Sequence, residues 1–314
     1  MWLYNNYILN KIIKQINKKG KNIPKIFLMP HGMLDPYFQK AKNRQFKAIR
    51  NVIYWHLIEK HLVNNVQALL FTCDEEMRLA KLTFRGYKPK CSYNVGLGIM
   101  PPPSNNSNQR QAFREKCSTI GGRAYLLFLG RINPKKGINM LVEAYKVVLN
   151  KQNIATQLLP KLVIAGPGLK TEYGLALAKK IQLDADLRDN VELVDMLEGD
   201  SKWGAFYGCE AFVLPSHQEN FGLTVAEALA CEKPVLISNK VNIHSEITKT
   251  NCGLVANDDL VGTVCLLNNW INLSDAEKNT MSVNAHNTFK TKFLATKTAM
   301  NIIETIQSHI AMVK

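Results

Sequence analysis

PSHQENFGLTVAEALACEKPV, residues 215–235, is the stretch whose reading decides the fold. It follows a short apolar run, AFVLP (211–215), and ends in another, PVLIS (234–238). Between them LTVAEALAC (223–231) repeats small and apolar residues at helical spacing, so the whole reads as strand, loop, helix, strand. Two short apolar strands joined through a helix form a parallel pair with a right-handed crossover. Such sheets bind ligands beyond the carboxyl ends of their strands, where the loop 215–222 must lie. Glu219 stands in that loop, and Glu227 follows eight residues later inside the helix. Gly222 lets the backbone come close to a ligand, and free N–H groups at the helix start favour a phosphate. Two carboxylates beside an anion site are unfavourable as plain packing. They make sense as acceptors of hydrogen bonds from sugar hydroxyls while the helix start holds a diphosphate. The alternative is an exposed acidic helix with one carboxylate in a turn.

The same alternation extends upstream. AYLLFLG (124–130) is a strand, INMLVEAYKVVLN (138–150) a helix, and KLVIAGPG (161–168) a strand and glycine turn that includes Gly166. Residues 171–183 read as helix, VELVD (191–195) as extended and SKWGAFYG (201–208) as helix. This predicts a doubly wound α/β domain with a parallel sheet. Within FLGRINPKKG (128–137), Arg131 and Lys136 leave a strand end just after Gly130, two cations at the carboxyl edge of the sheet. A solvated basic loop is the competing reading.

Nearer the start, residues 7–19 carry Ile8, Ile12, Ile13 and Ile16 at helical spacing, with lysines between them. KIFLMP (25–30) reads as a buried strand ending at the loop HGMLDP. Residues 37–63 read as one long helix or two short ones, with an apolar stripe of Phe38, Ala41, Ile49, Ile53 and Leu57. QALLFT (67–72) is a further strand, followed by the acidic helix start CDEEMR. PPPSNNSNQRQAFREK (101–116) reads as a linker, since three prolines and a polar run have nothing to bury. His31 ends the strand 25–30 just before Gly32; a lone histidine can equally be structural.

The pattern PS-x-x-E-x-F-G-x-x-x-x-E-A-x-A, with Glu219 and Glu227 in its two glutamate places, resembles the signature of retaining GT-B glycosyltransferases of family 4, the glycosyl transferase group 1. The resemblance implies two Rossmann-like doubly wound domains. It implies that Glu219 contacts donor-sugar hydroxyls, that Glu227 contacts the ribose, and that Phe221, Gly222 and Leu223 offer backbone amides to the diphosphate. G-R-x-x-x-x-K-G at 130–137 is similar to the family's cation pair, so Arg131 and Lys136 would neutralise the leaving diphosphate without a metal or other cofactor. IPKIFLMPHGML resembles the acceptor-domain segment whose histidine reaches toward the donor sugar, which assigns that role to His31. VIAGPG and VELVD occupy the places that flank the nucleotide. Two departures stand out. Glu232 replaces a usual glycine, and MWLYNNYIL resembles a point deep inside the acceptor domain, which implies that its first strands and glycine-rich loop are missing. The expected division is a partial acceptor-side domain and linker over 1–116, a donor-binding domain over 117–286, and a C-terminal helix over 287–314 that crosses back.

Composition narrows the partners. The net charge of +15 is concentrated in residues 1–120, which hold 20 Lys and Arg against 6 Asp and Glu. A basic face attracts nucleic acid, anionic lipid or an anionic substrate. No zinc finger, RNP-type stretch or basic zipper accompanies it, so nucleic acid is not expected. The expected partners are a nucleotide sugar, a glycan or lipid-linked acceptor, an anionic membrane surface and a complementing N-terminal polypeptide. Seven scattered cysteines form no CxxC pair and suit reduced, structural thiols. No apolar run reaches the ~18 residues of a membrane span and the first residues lack a secretory pattern, which places the chain in the cytosol, peripheral at the inner membrane face. The expected activity is retaining hexosyl transfer. The alternative is a truncated, inactive nucleotide-sugar-binding module or half of a split enzyme.

Overall fold

The computed structural model describes residues 25–40, 45–151 and 159–311, together with Lys11. The helix read over 7–19 falls, apart from Lys11, outside the described residues. The chain divides into two compact units, Met1–Leu97 with Thr298–Lys314, and Gly98–Lys297.

The first unit holds a three-stranded parallel sheet of β1 (Phe27–Leu28), β2 (Ala68–Phe71) and β3 (Ser92–Asn94), in that spatial order. Between β1 and β2 lie α1 (Tyr37–Lys40), α2 (Gln45–Tyr54), a π-helical turn (Trp55–Glu59) and α3 (Lys60–Asn65). The π turn divides the segment by burial. No residue of α2 is buried, whereas Trp55, Glu59, Leu62 and Val63 all are. The extra residue of a π turn rotates the helix face, so the apolar stripe read over this segment does not point to the core: Ile49, Ile53 and Leu57 are exposed, as is Phe46. Trp55 takes the core position instead. It stacks on Phe84 at 4.7 Å between ring centroids and donates its indole N–H to the Arg85 carbonyl at 3.0 Å.

α4 (Asp74–Ala80) follows β2, capped by the Cys73 sulfur and carrying three carboxylates in its first turn, where they favour the helix dipole. Within this unit, the C-terminal helix (Ala295–Ala311) donates the Asn301 side-chain amide to the Val95 carbonyl at 3.1 Å, and its His309 meets Phe27 and Tyr93 edge-on.

Glu59 is 6% exposed, and burial pushes its carboxyl from 4.5 up to about 7. A folded pKa above the unfolded value means the native state keeps a proton that the unfolded chain releases between those pH values. Stability therefore falls as pH rises from 4.5 to 7 and stays lower above. Glu59→Gln is expected to stabilise the protein by roughly 2–3 kcal/mol at pH 8 and to be near neutral at pH 4, read from urea midpoints at the two pH values. An equal effect at both would show that the carboxyl does not titrate in this range.

The second unit is built on six parallel strands: β4 (Tyr125–Leu129), β5 (Lys161–Ala165), β6 (Val191–Val194), β7 (Ala211–Leu214), β8 (Val235–Ser238) and β9 (Gly253–Ala256). Their order is β6-β5-β4-β7-β8-β9, so the direction of winding reverses between β4 and β7. β7 and β8 are buried at every residue, as expected of a parallel sheet covered on both faces. The helices of this unit are α5 (Ser107–Lys116), α6 (Ile138–Lys151), α7 (Glu172–Leu183), α8 (Ala185–Asn190), α9 (Gly199–Gly208), α10 (Leu223–Ala230), α11 (His244–Thr250), α12 (Leu260–Asn272) and α13 (Asp275–Thr288), while α14 (Ala295–Ala311) belongs from Thr298 onward to the first unit. Several begin where a polar side chain takes an orphan N–H: Thr171 before α7, Asp184 before α8, Asp259 before α12 and Ser274 before α13.

The segment read as a linker, 101–116, is helical from Ser107 onward. Asn106 and Gln109 form a reciprocal capping box, and Gln109 and Phe113, one turn apart, give α5 a buried face. α5 packs so closely on α9 that a Cβ at Gly204 would overlap the Gln109 carbonyl. Two well-placed side chains and a glycine opposite are enough to fold an otherwise polar run. The cysteines of this unit are free thiols, and burial pushes those of Cys117, Cys209 and Cys231 up to about 12, which suits packing rather than reactivity.

Candidate functional site

The reversal between β4 and β7 opens a crevice at the carboxyl ends of those strands, and the loops that follow them meet there. The β4 loop carries Gly130, Arg131 and Lys136; the β7 loop carries Glu219, Phe221 and Gly222. Lys136 Nζ donates to Glu219 Oε2 across 83 residues of sequence, and both side chains are largely shielded, at 15% and 21% exposure. The backbones are tied as well, since the His217 N–H donates to the Lys135 carbonyl at 2.9 Å.

Glu219 is fixed from its other side by the loop after β8. Its N–H donates to the Lys240 carbonyl at 2.9 Å and its carbonyl accepts from the Asn242 N–H at 3.0 Å. Gly137 closes the β4 loop, where a Cβ would overlap the Pro215 carbonyl. Arg131, beside the pair, is exposed, and its guanidinium forms no ion pair among the described residues. One cation is thus neutralised by a carboxylate and a second is open to solvent.

Gly166, after β5, supports this arrangement from beneath. Its φ of 145° favours glycine, and a Cβ would overlap the Gly130 carbonyl. The Gly130 N–H donates to the Ala165 carbonyl at 3.0 Å, so the two loops leave their strands in contact.

α10 begins at Leu223, with Gly222 as N-cap and no side chain capping it, so its first N–H groups face the crevice without a built-in acceptor. Leu223 is exposed, whereas Phe221 is buried edge-on to Phe293 at 5.4 Å. Only the backbone of Phe221 is thus available to a ligand. Glu227, one turn into α10, pairs with Lys202 of α9 at 2.6 Å. Glu232, in the place where a glycine was expected, has a left-handed φ of 63°.

His31 lies in the first unit, past the end of β1. It is exposed and adopts a left-handed φ of 49°, unusual for a residue with a side chain. The next residue explains how that turn is held. Gly32 N–H donates to Glu76 Oε1, while Glu76 Oε2 accepts from the Thr72 N–H at 2.8 Å and the Thr72 hydroxyl at 2.6 Å. One buried carboxylate thereby clamps the loops that follow β1 and β2.

The structure therefore joins Lys136 to Glu219, sets Arg131, Gly130, Gly166 and the α10 start around them, and places Glu227 on the same helix. Residues that sequence reasoning passed over are Lys202, Asn242 and Glu76. Lys202 sits inside SKWGAFYG, which reads only as a helix, and its partner is 25 residues away. Glu76 lies in CDEEMR, where an acidic helix start accounts for it without reference to Gly32, 44 residues distant.

A family model described as glycosyl transferases group 1 matches residues 109–271, just over half of the chain. A D-inositol 3-phosphate glycosyltransferase of Kineococcus radiotolerans is 29% identical over 196 residues, which cover 62% of this chain and 45% of that protein. A protein of the same description from Streptomyces coelicolor is 30% identical over 142 residues, covering 44% and 30%. The chain thus spans less than half the length of these curated relatives. Among solved structures, sucrose-phosphate synthase from Thermosynechococcus elongatus is similar with a TM-score of 0.69 at 17% identity, over 94% of this chain and 70% of that one. The Anabaena protein HepE, solved with UDP and glucose, gives 0.67 at 17% identity, over 90% and 72%. These structural likenesses show the fold, which is GT-B.

Proposed function

The chain belongs to the glycosyl transferases of group 1, and we propose from that premise that it moves a hexose from a nucleoside diphosphate sugar to a glycan or lipid-linked acceptor, with retention, as a family 4 enzyme. The observation that carries this reading is the Lys136–Glu219 pair, on loops that also carry the exposed Arg131 and lead into an uncapped helix start. The diphosphate lies against the first N–H groups of α10, at Gly222 and Leu223, where the dipole favours an anion. Arg131 and Lys136 hold its charge as the sugar–phosphate bond breaks, with no metal needed for that role. Glu219 takes hydroxyls of the donor sugar, its geometry set by Lys136 and by the 240–242 loop. Glu227, held by Lys202, takes the ribose hydroxyls.

Retention requires the leaving phosphate and the incoming hydroxyl on one face of the sugar. His31 is assigned to orienting one of them, and the Glu76 clamp keeps its turn in place. The acceptor side together with its linker is assigned to 1–116, the donor side to 117–286, and the returning helix to 287–314. The chain works in the cytosol at an anionic membrane surface. In support, Phe46, Ile49 and Ile53 form an exposed apolar stripe on α2, beside Lys47 and Arg50. Among the described residues no helix is long and apolar enough to cross a membrane.

A second reading is a nucleotide-sugar-binding module without turnover, or half of a split enzyme completed by a second polypeptide. It is favoured by β1, a two-residue strand at the edge of its sheet among the described residues, since a sheet edge is a template for a further strand. One experiment addresses both readings: incubation with UDP- and GDP-hexoses and a glycan or lipid-linked acceptor in EDTA, over anionic vesicles. Free UDP or GDP together with a product of the donor's anomeric configuration, read by NMR, is expected of the enzyme. An inverted product contradicts retention, and nucleotide binding without turnover selects the second reading. A chain left in the supernatant when the vesicles sediment contradicts membrane docking.

A further inference from the structure

At the opposite edge of the donor-side sheet, α5, α9 and the turn 117–123 enclose a cavity of about 580 Å³ over the first residue of β4. β4 runs from Tyr125 to Leu129 and the donor loops begin after its far end, so about 15 Å of strand separates the two places. The walls are apolar. Phe113 and Tyr125 face each other at 5.4 Å, and the Tyr125 hydroxyl is already committed to the Ala205 carbonyl at 2.8 Å. Gly204 and Gly208 line it on the α9 side, packed so closely that a Cβ at either would overlap the Gln109 carbonyl or the Tyr125 hydroxyl.

The lining is otherwise cationic. Arg110 and Arg114 stand one turn apart on α5, both exposed and neither in an ion pair among the described residues. Arg123 lines the same cavity, with its guanidinium tied to the Leu159 carbonyl at 2.7 Å and Asn190 Oδ1 at 3.1 Å. No carboxylate is among the lining residues. Of the acids nearby, Glu115 accepts from Gln111 and Glu192 from Thr119, while Lys161, bonded to the Thr119 carbonyl, adds a further cation. The turn also presents a short helical stretch, Ser118–Ile120, followed by left-handed Gly121. That succession turns neighbouring N–H groups to one side and makes an anion-binding concavity. Beyond it the space over Gly122 is open.

Two exposed guanidinium groups one turn apart, Arg110 and Arg114, repel one another unless an anion joins them, and guanidinium matches the paired oxygens of a phosphate. The volume lies within the range of small-molecule sites and is far larger than a phosphate ion alone. We propose that this cavity is a second ligand site, which binds a phosphate monoester through Arg110 and Arg114 and seats its apolar body against Phe113 and Tyr125. It does not share a residue with the donor site, so both ligands bind at once.

The test is calorimetric titration of the full chain with phenyl phosphate and, separately, inorganic phosphate. Phenyl phosphate is expected to bind at least tenfold more tightly than inorganic phosphate. The Arg110→Gln/Arg114→Gln double variant should weaken it by tenfold or more. Arg131→Ala and saturating UDP should leave it unchanged. Because both substituted side chains are exposed and glutamine suits a helix, the variant is expected to fold, with unchanged circular dichroism as the check; Arg110→Gln alone, expected to weaken binding in part, replaces it otherwise. No binding, equal binding of the two probes, binding indifferent to the α5 arginines, or binding lost with Arg131→Ala or displaced by UDP would each overturn the proposal. These outcomes are distinct from failure of the donor reading, which would show as loss of UDP binding with phenyl phosphate unaffected.

Discussion

Lys136→Ala is expected to lower turnover of the nucleotide sugar by about 10²–10³-fold, the usual effect of removing one charge-stabilising group at a developing anion. Two losses combine. The leaving diphosphate loses a cation, and the Glu219 carboxylate, only 21% exposed, is left without its partner. A shielded carboxylate without a counter-ion turns away or takes up water, so its alignment with the sugar hydroxyls is lost too. Lys136→Arg keeps the charge but not the compact reach of the ammonium, and a partial loss is expected. If Lys136→Ala lost no more than threefold in kcat/KM, the lysine would be a loop residue whose pairing with Glu219 is only structural.

Gly166→Ala is expected to be the most damaging single methyl group near the site. The Cβ would overlap the Gly130 carbonyl, which is backbone and cannot swing aside, and a φ of 145° is strained for any side chain. Overpacking and the forced dihedral together cost about 3 kcal/mol. In a unit of this size that corresponds to a fall in Tm of roughly 6–12 °C. The damage should reach function, because Gly130 immediately precedes Arg131. Thermal unfolding with and without UDP separates the two effects. An unchanged Tm would mean that the β4 and β5 loops are not in contact as described.

The six-stranded sheet was legible because its strands are buried on both faces. Runs such as AFVL and VLIS carry at most one small polar residue to blur them, and the helix–strand alternation then fixes a parallel sheet. The ligand edge followed from the same alternation, and with it the placing of Gly130, Arg131, Lys136, Glu219 and Gly222. What escaped was set by tertiary contact. β3 is only SYN, three residues with no apolar alternation, and is a strand because it pairs with β2. α5 reads as polar linker until Gly204 arrives opposite it. The π turn at Trp55–Glu59 leaves no mark in hydrophobic periodicity, yet it decides that Trp55 is buried and Ile53 exposed.

Polar pairs were hidden for a similar reason. Lys202–Glu227 and Gly32–Glu76 link residues far apart in sequence, and each partner alone has an ordinary local explanation. The strained φ of His31 is likewise a property of backbone held by a clamp, which no residue identity announces.

The central claim is that the crevice at β4 and β7 holds a nucleoside diphosphate sugar through fixed cations. It is tested most directly by calorimetric titration of the chain with UDP, GDP and their hexose conjugates in EDTA. The account expects one nucleotide to bind, binding to be lost in Arg131→Ala and Lys136→Ala, and Glu232→Ala, at the far end of α10, to bind as the unaltered chain does. A folded chain that binds neither nucleotide, or equal losses at Arg131, Lys136 and Glu232, would contradict it.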